Sequence, residues 1–147
     1  MTPLQFAMSL ISYAKHSEVS YYVARVLRMP KGLFPASRCS VTFEEFMDFN
    51  RCLFQIQEIM RGLQYFEGDS KGVSEEVFKH TVTVVTGIEL NPELVRIMFW
   101  VLDRDGNGVL DNQEINALLT ERFKYGQAND RVFMGSVFGC FKKCFSG

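Results

Sequence analysis

One stretch restricts the fold of this chain more than any other, Asp103 to Glu114, "DRDGNGVLDNQE". It gathers four carboxylates and two glycines into a single twelve-residue loop. Like charges this close repel unless a cation sits among them. The spacing fits D-x-[DN]-x-[DN]-G-x5-E at every constrained position, through Asp103, Asp105, Asn107, Gly108 and Glu114, which is the pattern of an EF-hand calcium loop. Ca2+ is a hard cation that takes several oxygen ligands. The pattern therefore assigns it the side chains of Asp103, Asp105 and Asn107, the backbone carbonyl of Val109, Asp111 through a water, and both carboxylate oxygens of Glu114. Gly108 falls where the loop turns sharply and a side chain would be strained. Mg2+ prefers a tighter octahedron than such a loop offers.

The flanks agree with a helix-loop-helix. Asn91-Pro92-Glu93 reads as an N-cap followed by proline at the first helical position. Val95, Met98, Phe99 and Leu102 follow at helical spacing and predict an amphipathic helix entering the loop; Ile115, Leu118 and Leu119 continue the pattern beyond it.

The segment "LDNQEI" at 110–115 has weaker copies upstream: "MTPLQF" at 1–6, "VTFEEF" at 41–46 and "VSEEVF" at 73–78. Thr2 with Gln5, Thr42 with Glu45 and Asp111 with Glu114 form capping boxes; Ser74 keeps the cap but faces Val77 where its partner should be. Each copy marks the start of a hand's exit helix, and a repeat at this period argues for an array. Counting back from Val41 puts Phe34, Ala36 and Arg38 at the first, third and fifth ligand positions. Counting back from Val73 puts Phe66 and Gly68 at the first and third, and Val77 at the twelfth. Phenylalanine offers no oxygen, so both hands read as scaffolds without calcium; a shorter rearranged loop around Glu67 and Asp69 is the alternative for the second. Val73 and Leu110, both at eighth positions, are expected to form the short bridge that couples two loops. Met1 occupies an eighth position with no entering helix before it, so the chain reads as a piece of a longer protein.

The resulting expectation is an all-α fold, an EF-hand array with a short inter-loop β bridge and a C-terminal helix. Its parts are an exit helix at 1–16, degenerate hands at 17–50 and 51–88, a calcium-binding hand at 89–126, and a final helix at 127–147. Helices are predicted at about 3–15, 17–29, 42–65 as one possible continuous rod, 75–86 and from 92 into the loop.

Length permits a substantial core. The formal net charge of -1 shows no basic stripe, which argues against nucleic acid. No apolar run is long enough to span a bilayer. Cys39, Cys52, Cys140 and Cys144 lack metal-ligand spacing, and His16 and His80 are isolated. No nucleophile-base pair or phosphate-cradling loop is present, so the chain is not read as an enzyme. In "RVFMGSVFGCFKKCFSG", Met134, Val137, Phe138, Phe141 and Phe145 share a helical face. That face suits the groove of its own domain, a partner, or a membrane surface.

Taken together, "VTFEEFMDF" after a degenerate loop, "GIELNPELVRIMFWVLDRDGNGVLDNQEI" and "VFMGSVFGC" after a polar gap resemble the mitochondrial calcium uptake (MICU) proteins, regulators of the mitochondrial calcium uniporter. The resemblance implies the second EF-hand lobe of such a regulator, with Ca2+ at Asp103, Asp105, Asn107, Val109, Asp111 and Glu114. It further implies a homo- or hetero-dimer with another MICU-like subunit, contact with the uniporter channel complex, and a place in the intermembrane space at the inner membrane. A terminal-helix cysteine that joins subunits would correspond to Cys140, with Cys144 as an extra thiol. Calcium binding is then expected to swing Glu114 and its helix inward. Two rivals remain: a soluble calmodulin-like sensor of target helices, and a calcium-stabilised structural module.

Overall fold

A computed structural model describes residues 1–115 apart from 13, 15, 36, 39 and 68–71, and the backbone alone of 16, 66, 67 and 112. The helices are α1 (Pro3–Leu10), α2 (His16–Leu27), α3 (Phe43–Phe54), α4 (Ile56–Glu67), α5 (Glu75–Thr86), α6 (Pro92–Leu102) and α7 (Asn112–Ile115), with a 3-10 turn at Lys31–Leu33. Strands β1 (Val73–Ser74) and β2 (Val109–Leu110) pair antiparallel, Val73 with Leu110 and Ser74 with Val109. This is an EF-hand fold, helical with one small bridge. The segment predicted as a C-terminal helix, including Cys140 and Cys144, lies outside the described residues, as do Leu118 and Leu119.

The helix starts follow their local chemistry. Thr2 Oγ1 accepts from Gln5 N at 3.1 Å while Thr2 N donates to Gln5 Oε1 at 2.8 Å, and Thr42 and Glu45 repeat the exchange at 3.2 and 2.9 Å. Two of the orphan amides at each helix start are thereby satisfied. Ser74 Oγ accepts from Val77 N at 3.3 Å with no reciprocal bond, because Val77 has none to offer. Asn91 caps α6 through Glu93 N at 2.9 Å, with Pro92 at the first helical position. Gly87 stops α5 in the left-handed conformation at φ 72°, its N–H bonded to Thr83 O.

Three expectations change in detail. The first helix ends at Leu10 rather than running to 15, with Ile11 as its C-cap. The rod expected over 42–65 is two helices meeting at Gln55, whose φ of -102° and ψ of 18° leave the helical region; its N–H bonds back to Cys52 O and Leu53 O. The break divides the stretch into α3 and α4. Helix α6 is also more than amphipathic. Leu94, Val95, Ile97, Met98, Phe99, Val101 and Leu102 are all buried, because α1, α2, α5 and the 3-10 turn all pack on it. A helix apolar on nearly every side belongs inside a fold.

The repeated sixth residue of each copy is where the core forms. Phe6, Phe46, Phe78 and Ile115 are all buried. Phe6 meets Phe46 and Phe49 edge to face, at centroid distances of 6.3 and 5.0 Å, and Phe78 meets Phe99 at 6.1 Å; such pairs add about 0.5–1.5 kcal/mol beyond area burial. Between α4 and α5 the backbones come close at Gly62, where a Cβ would lie 2.9 Å from Thr81 Cγ2. Met1 and Val41 also exchange backbone bonds, Val41 N to Met1 O at 2.7 Å and the Met1 amino group to Val41 O at 3.3 Å. These residues open the first two sequence copies, and their backbones bond as those of Val73 and Leu110, which open the other two, do.

Candidate metal centre

The loop begins where α6 stops. Asp103 has φ -70° and ψ 99°, outside the helical region, and Gly106 and Gly108 take φ of 70° and 79°. No atom lies within 4 Å of where a Cβ would stand on Gly108, so conformation rather than space selects glycine there. With the chain turned this way, amides point inward. Asp103 Oδ1 accepts from Gly106 N at 3.0 Å and Oδ2 from Gly108 N at 2.9 Å. Asp105 accepts from Asn107 N at 3.4 Å and from Asn107 Nδ2 at 3.1 Å. Asn107 Oδ1 accepts from Val109 N at 3.0 Å.

The far end of the loop folds back onto its start. Glu114 Oε1 accepts from Arg104 N at 2.9 Å and Oε2 from Asp111 N at 3.1 Å, while Asp111 Oδ1 accepts from Glu114 N at 2.7 Å. The capping box of α7 and the loop closure are thus made by the same glutamate. The Glu114 carboxylate lies inside the loop, held by backbone amides.

Asp103, Asp105 and Glu114 each offer a carboxylate oxygen within 4.8 Å of the other two. Asp103 is 6 % exposed and Glu114 9 %. Three carboxylates this close, two of them withdrawn from water, repel one another, and amide dipoles alone are a weak counterweight. The arrangement suits a hard divalent cation with oxygen ligands, which is to say Ca2+. Of the other sequence-assigned ligands, Asn107 directs its oxygen to Val109 N, Asp111 is exposed and caps α7, and Val109 sits in β2. Of these, Asp111 stands outside the carboxylate cluster.

Around the loop are residues that the motif does not contain. Arg104, its second residue, donates through Nη2 to Glu18 Oε1 at 2.8 Å and to Tyr22 Oη at 3.0 Å, both on α2. These bonds hold its guanidinium firmly charged, and burial pushes the Tyr22 phenol up. Trp100, one turn before the loop, is clasped by Arg25. Helix spacing on α2 contains Glu18, Tyr22 and Arg25 in order, but nothing in the sequence says which element that face meets.

The first hand's loop holds a second charged cluster. Glu45 stands at its twelfth position, and Arg38, at the fifth, donates to Glu45 Oε1 and, at 2.8 Å, to Glu93 Oε2 on α6; Asn91 Nδ2 adds a bond to Glu45 Oε1 at 2.6 Å. Burial pushes the Glu45 carboxyl up, but the bonds from Arg38, Thr42 N and Asn91 together bring it below the ordinary glutamate range. Counting forward from Phe34 would have found this glutamate; its cationic partner was visible only as an arginine in the wrong place. The Glu67 and Asp69 alternative of the second hand falls outside the described side chains. Cys52 is fully buried and its thiol pushed up to about 12, which makes it inert.

Residues 69–122 match the model of an EF-hand domain pair. The rat mitochondrial calcium uptake protein 3 is 26% identical over 139 residues, covering 95% of this chain and 25% of that protein. The human calcium uptake protein 1 is 24% identical over 126 residues, covering 86% of this chain and 26% of that protein. The chain therefore spans about a quarter of the length of the curated relatives it matches. Among solved structures, EFHA2 in its apo state superposes with a TM-score of 0.72 at 25% identity, over 86% of this chain and 39% of that one. The apo structure of the mitochondrial calcium uniporter protein MICU2 gives 0.68 at 21% identity, over 97% and 46%. EFHA2 in a Ca-binding state gives 0.66 at 24% identity, over 80% and 35%. The chain is a homologue of the mitochondrial calcium uptake proteins and carries their EF-hand fold.

Proposed function

We propose that this chain is the calcium-sensing C-terminal lobe of a MICU-like regulator, and that Ca2+ is held by Asp103, Asp105, Asn107, the Val109 carbonyl, Asp111 and Glu114. The observation that carries the reading is the convergence of the Asp103, Asp105 and Glu114 carboxylates within 4.8 Å, on a loop whose backbone is already turned for ligation. Calcium supplies positive charge among those carboxylates, and the chain's own residues arrange the oxygens. Hands 17–50 and 51–88 serve as the frame, with 89–126 as the sensing hand and 127–147 as a helix for contact with a partner subunit or membrane surface.

In the whole protein, calcium at this loop would alter contacts with a MICU-like partner or with the uniporter complex, in the intermembrane space at the inner membrane. The homology to calcium uptake proteins, about a quarter of whose length this chain spans, supports this reading. Among the described residues no helix is long and apolar enough to cross a membrane. No catalytic role enters.

Calorimetric titration of the chain with Ca2+, beside Glu114→Gln, tests the site. One calcium per chain is expected, with binding lost in the variant. Equal binding by both would remove the assignment. Scattering with and without Ca2+ separates the lobe of a regulator, whose assembly or shape responds, from a module that calcium only stabilises.

A further inference from the structure

We propose that helix α2 of the calcium-free first hand is a working part of the calcium site: Glu18, Tyr22 and Arg25 are positioning residues that set the loop's affinity, acting through Arg104 and Trp100. This rests on the calcium reading of the loop.

The geometry begins with a displaced helix bond. Were α6 one turn longer, Trp100 O would accept from Arg104 N, four residues on. The helix instead ends at Leu102, and Arg104 N donates to Glu114 Oε1 at 2.9 Å. The freed Trp100 carbonyl is taken by α2, from Arg25 Nε at 2.9 Å and Nη2 at 2.7 Å. Trp100 Nε1 returns a bond to Arg25 O at 3.1 Å, and the guanidinium lies 4.8 Å from the indole centroid. A cation at a helix C-terminus, bidentate and stacked on an aromatic ring, is a directional contact.

The second grip lies at the loop itself. Arg104 extends its guanidinium to Glu18 and Tyr22, with the Tyr21 and Tyr22 rings 5.3 and 5.4 Å away. Glu18, Tyr22 and Arg25 recur at helical spacing, so a single face of α2 holds both the end of α6 and the start of the loop. The backbone amide of that same Arg104 holds the closing carboxylate. Whatever fixes Arg104 therefore fixes Glu114.

Charge gives the sign. Arg104 is a cation at the mouth of a site meant for another, and Glu18 both neutralises it and draws it toward α2. Removing the Glu18 charge leaves an unpaired cation beside the carboxylates and loosens the loop's first turn. Both consequences weaken calcium binding. By linkage, calcium must strengthen the α2–α6 clasp by the same factor.

The chain supplies its own reporter, since Trp100 is its single tryptophan. The full chain is titrated with Ca2+, reading heat and Trp100 emission in parallel. Wild type is compared with Glu18→Gln, Tyr22→Phe, Arg104→Gln, the double variant Glu18→Gln/Arg104→Gln, and Glu58→Gln as a charge control on α4. In the wild type, emission and heat are expected to share one midpoint. Glu18→Gln raises Kd about 3- to 10-fold, in the range of a partly exposed ion pair plus coupling. Tyr22→Phe raises it less, and Glu58→Gln leaves it unmoved. With Arg104 already replaced, Glu18→Gln has no further effect. Normal calcium heat in the wild type with equal Kd for Glu18→Gln and Glu58→Gln, or additive effects in the double variant, overturns this proposal alone. No calcium heat in the wild type overturns the site reading and this proposal with it.

Discussion

Two loops of this molecule are built on one plan and differ in where their cation comes from. In loop 34–45, Thr42 and Glu45 make a reciprocal capping box; in loop 103–114, Asp111 and Glu114 make the same one. Each glutamate stands at the twelfth position and reaches back across its loop. In the first, the fifth residue is Arg38, whose guanidinium bonds Glu45. The positive charge is tethered to the chain. In the second, the first and third residues are Asp103 and Asp105, and no side-chain cation is bonded to Glu114 among the contacts of the described residues. In loop 34–45 an arginine thus supplies the positive charge that the glutamate at the twelfth position meets.

The two loops also bear on one helix. Arg38 and Glu45 engage Glu93 and Asn91 at the N-terminal end of α6, while α2 of the same hand grips its C-terminal end. Segment 16–45 thus holds α6, the helix that leads into loop 103–114, at both ends.

The sharpest test of this contrast exchanges the roles of the glutamates. Glu114→Gln is expected to lower calcium affinity by at least about 100-fold, more than the loss of an outer-shell partner, measured by calorimetry. Glu45→Gln should leave calcium affinity within about twofold and appear only in stability. Calcium binding lost in the second variant would show that the first loop, too, takes up metal.

Next comes the tethered cation. Arg38→Gln leaves Glu45 and Glu93 without their shared partner and is expected to lower the denaturation midpoint modestly, because the arginine is partly exposed and its ion pairs are screened by solvent. Denaturant titration reads this. If calcium then protects the variant more than the wild type, loop 34–45 has regained a cation site.

The backbone sets a smaller difference. Position six is Gly108 in one loop and Cys39 in the other. Gly108→Ala meets no steric neighbour but must hold φ 79°, at a cost of about 1–2 kcal/mol. Thermal melts in excess calcium should show that cost, with a matching drop in affinity.

The smallest effect is one of pH. Because Glu45 has its folded pKa lowered, its contribution is complete above the ordinary glutamate pKa and is lost as pH falls through the depressed value. In Arg38→Gln this acid sensitivity should shrink. An unchanged acid limb in the variant would mean that Thr42 N and Asn91, rather than Arg38, hold the carboxylate ionised.

Much of this was readable without coordinates, and for a local reason. Capping boxes, the proline at the start of α6 and the glycine turns of the calcium loop are decided by residues within a few positions of one another. Thr2, Thr42, Ser74 and Asp111 each behave as their neighbours dictate, down to the missing reciprocal bond at Val77. The bridge of Val73 to Leu110 was also legible, because eighth positions of paired loops must meet.

What local pattern could not supply was any contact between distant faces. The stripe of α6 reads as amphipathic, yet α1 and α2 cover its other side. Arg25 and Trp100 are 75 residues apart and Arg104 and Glu18 86, each unremarked in its own helix or loop. Sequence alone determined which loop carries the clustered carboxylates and the glycine turns, since residue identity and turn conformation are properties of twelve adjacent residues. Only the tertiary structure decided that an arginine stands in for the cation in the first hand and that α2 braces the second, because charge pairing over such separations depends on how helices pack.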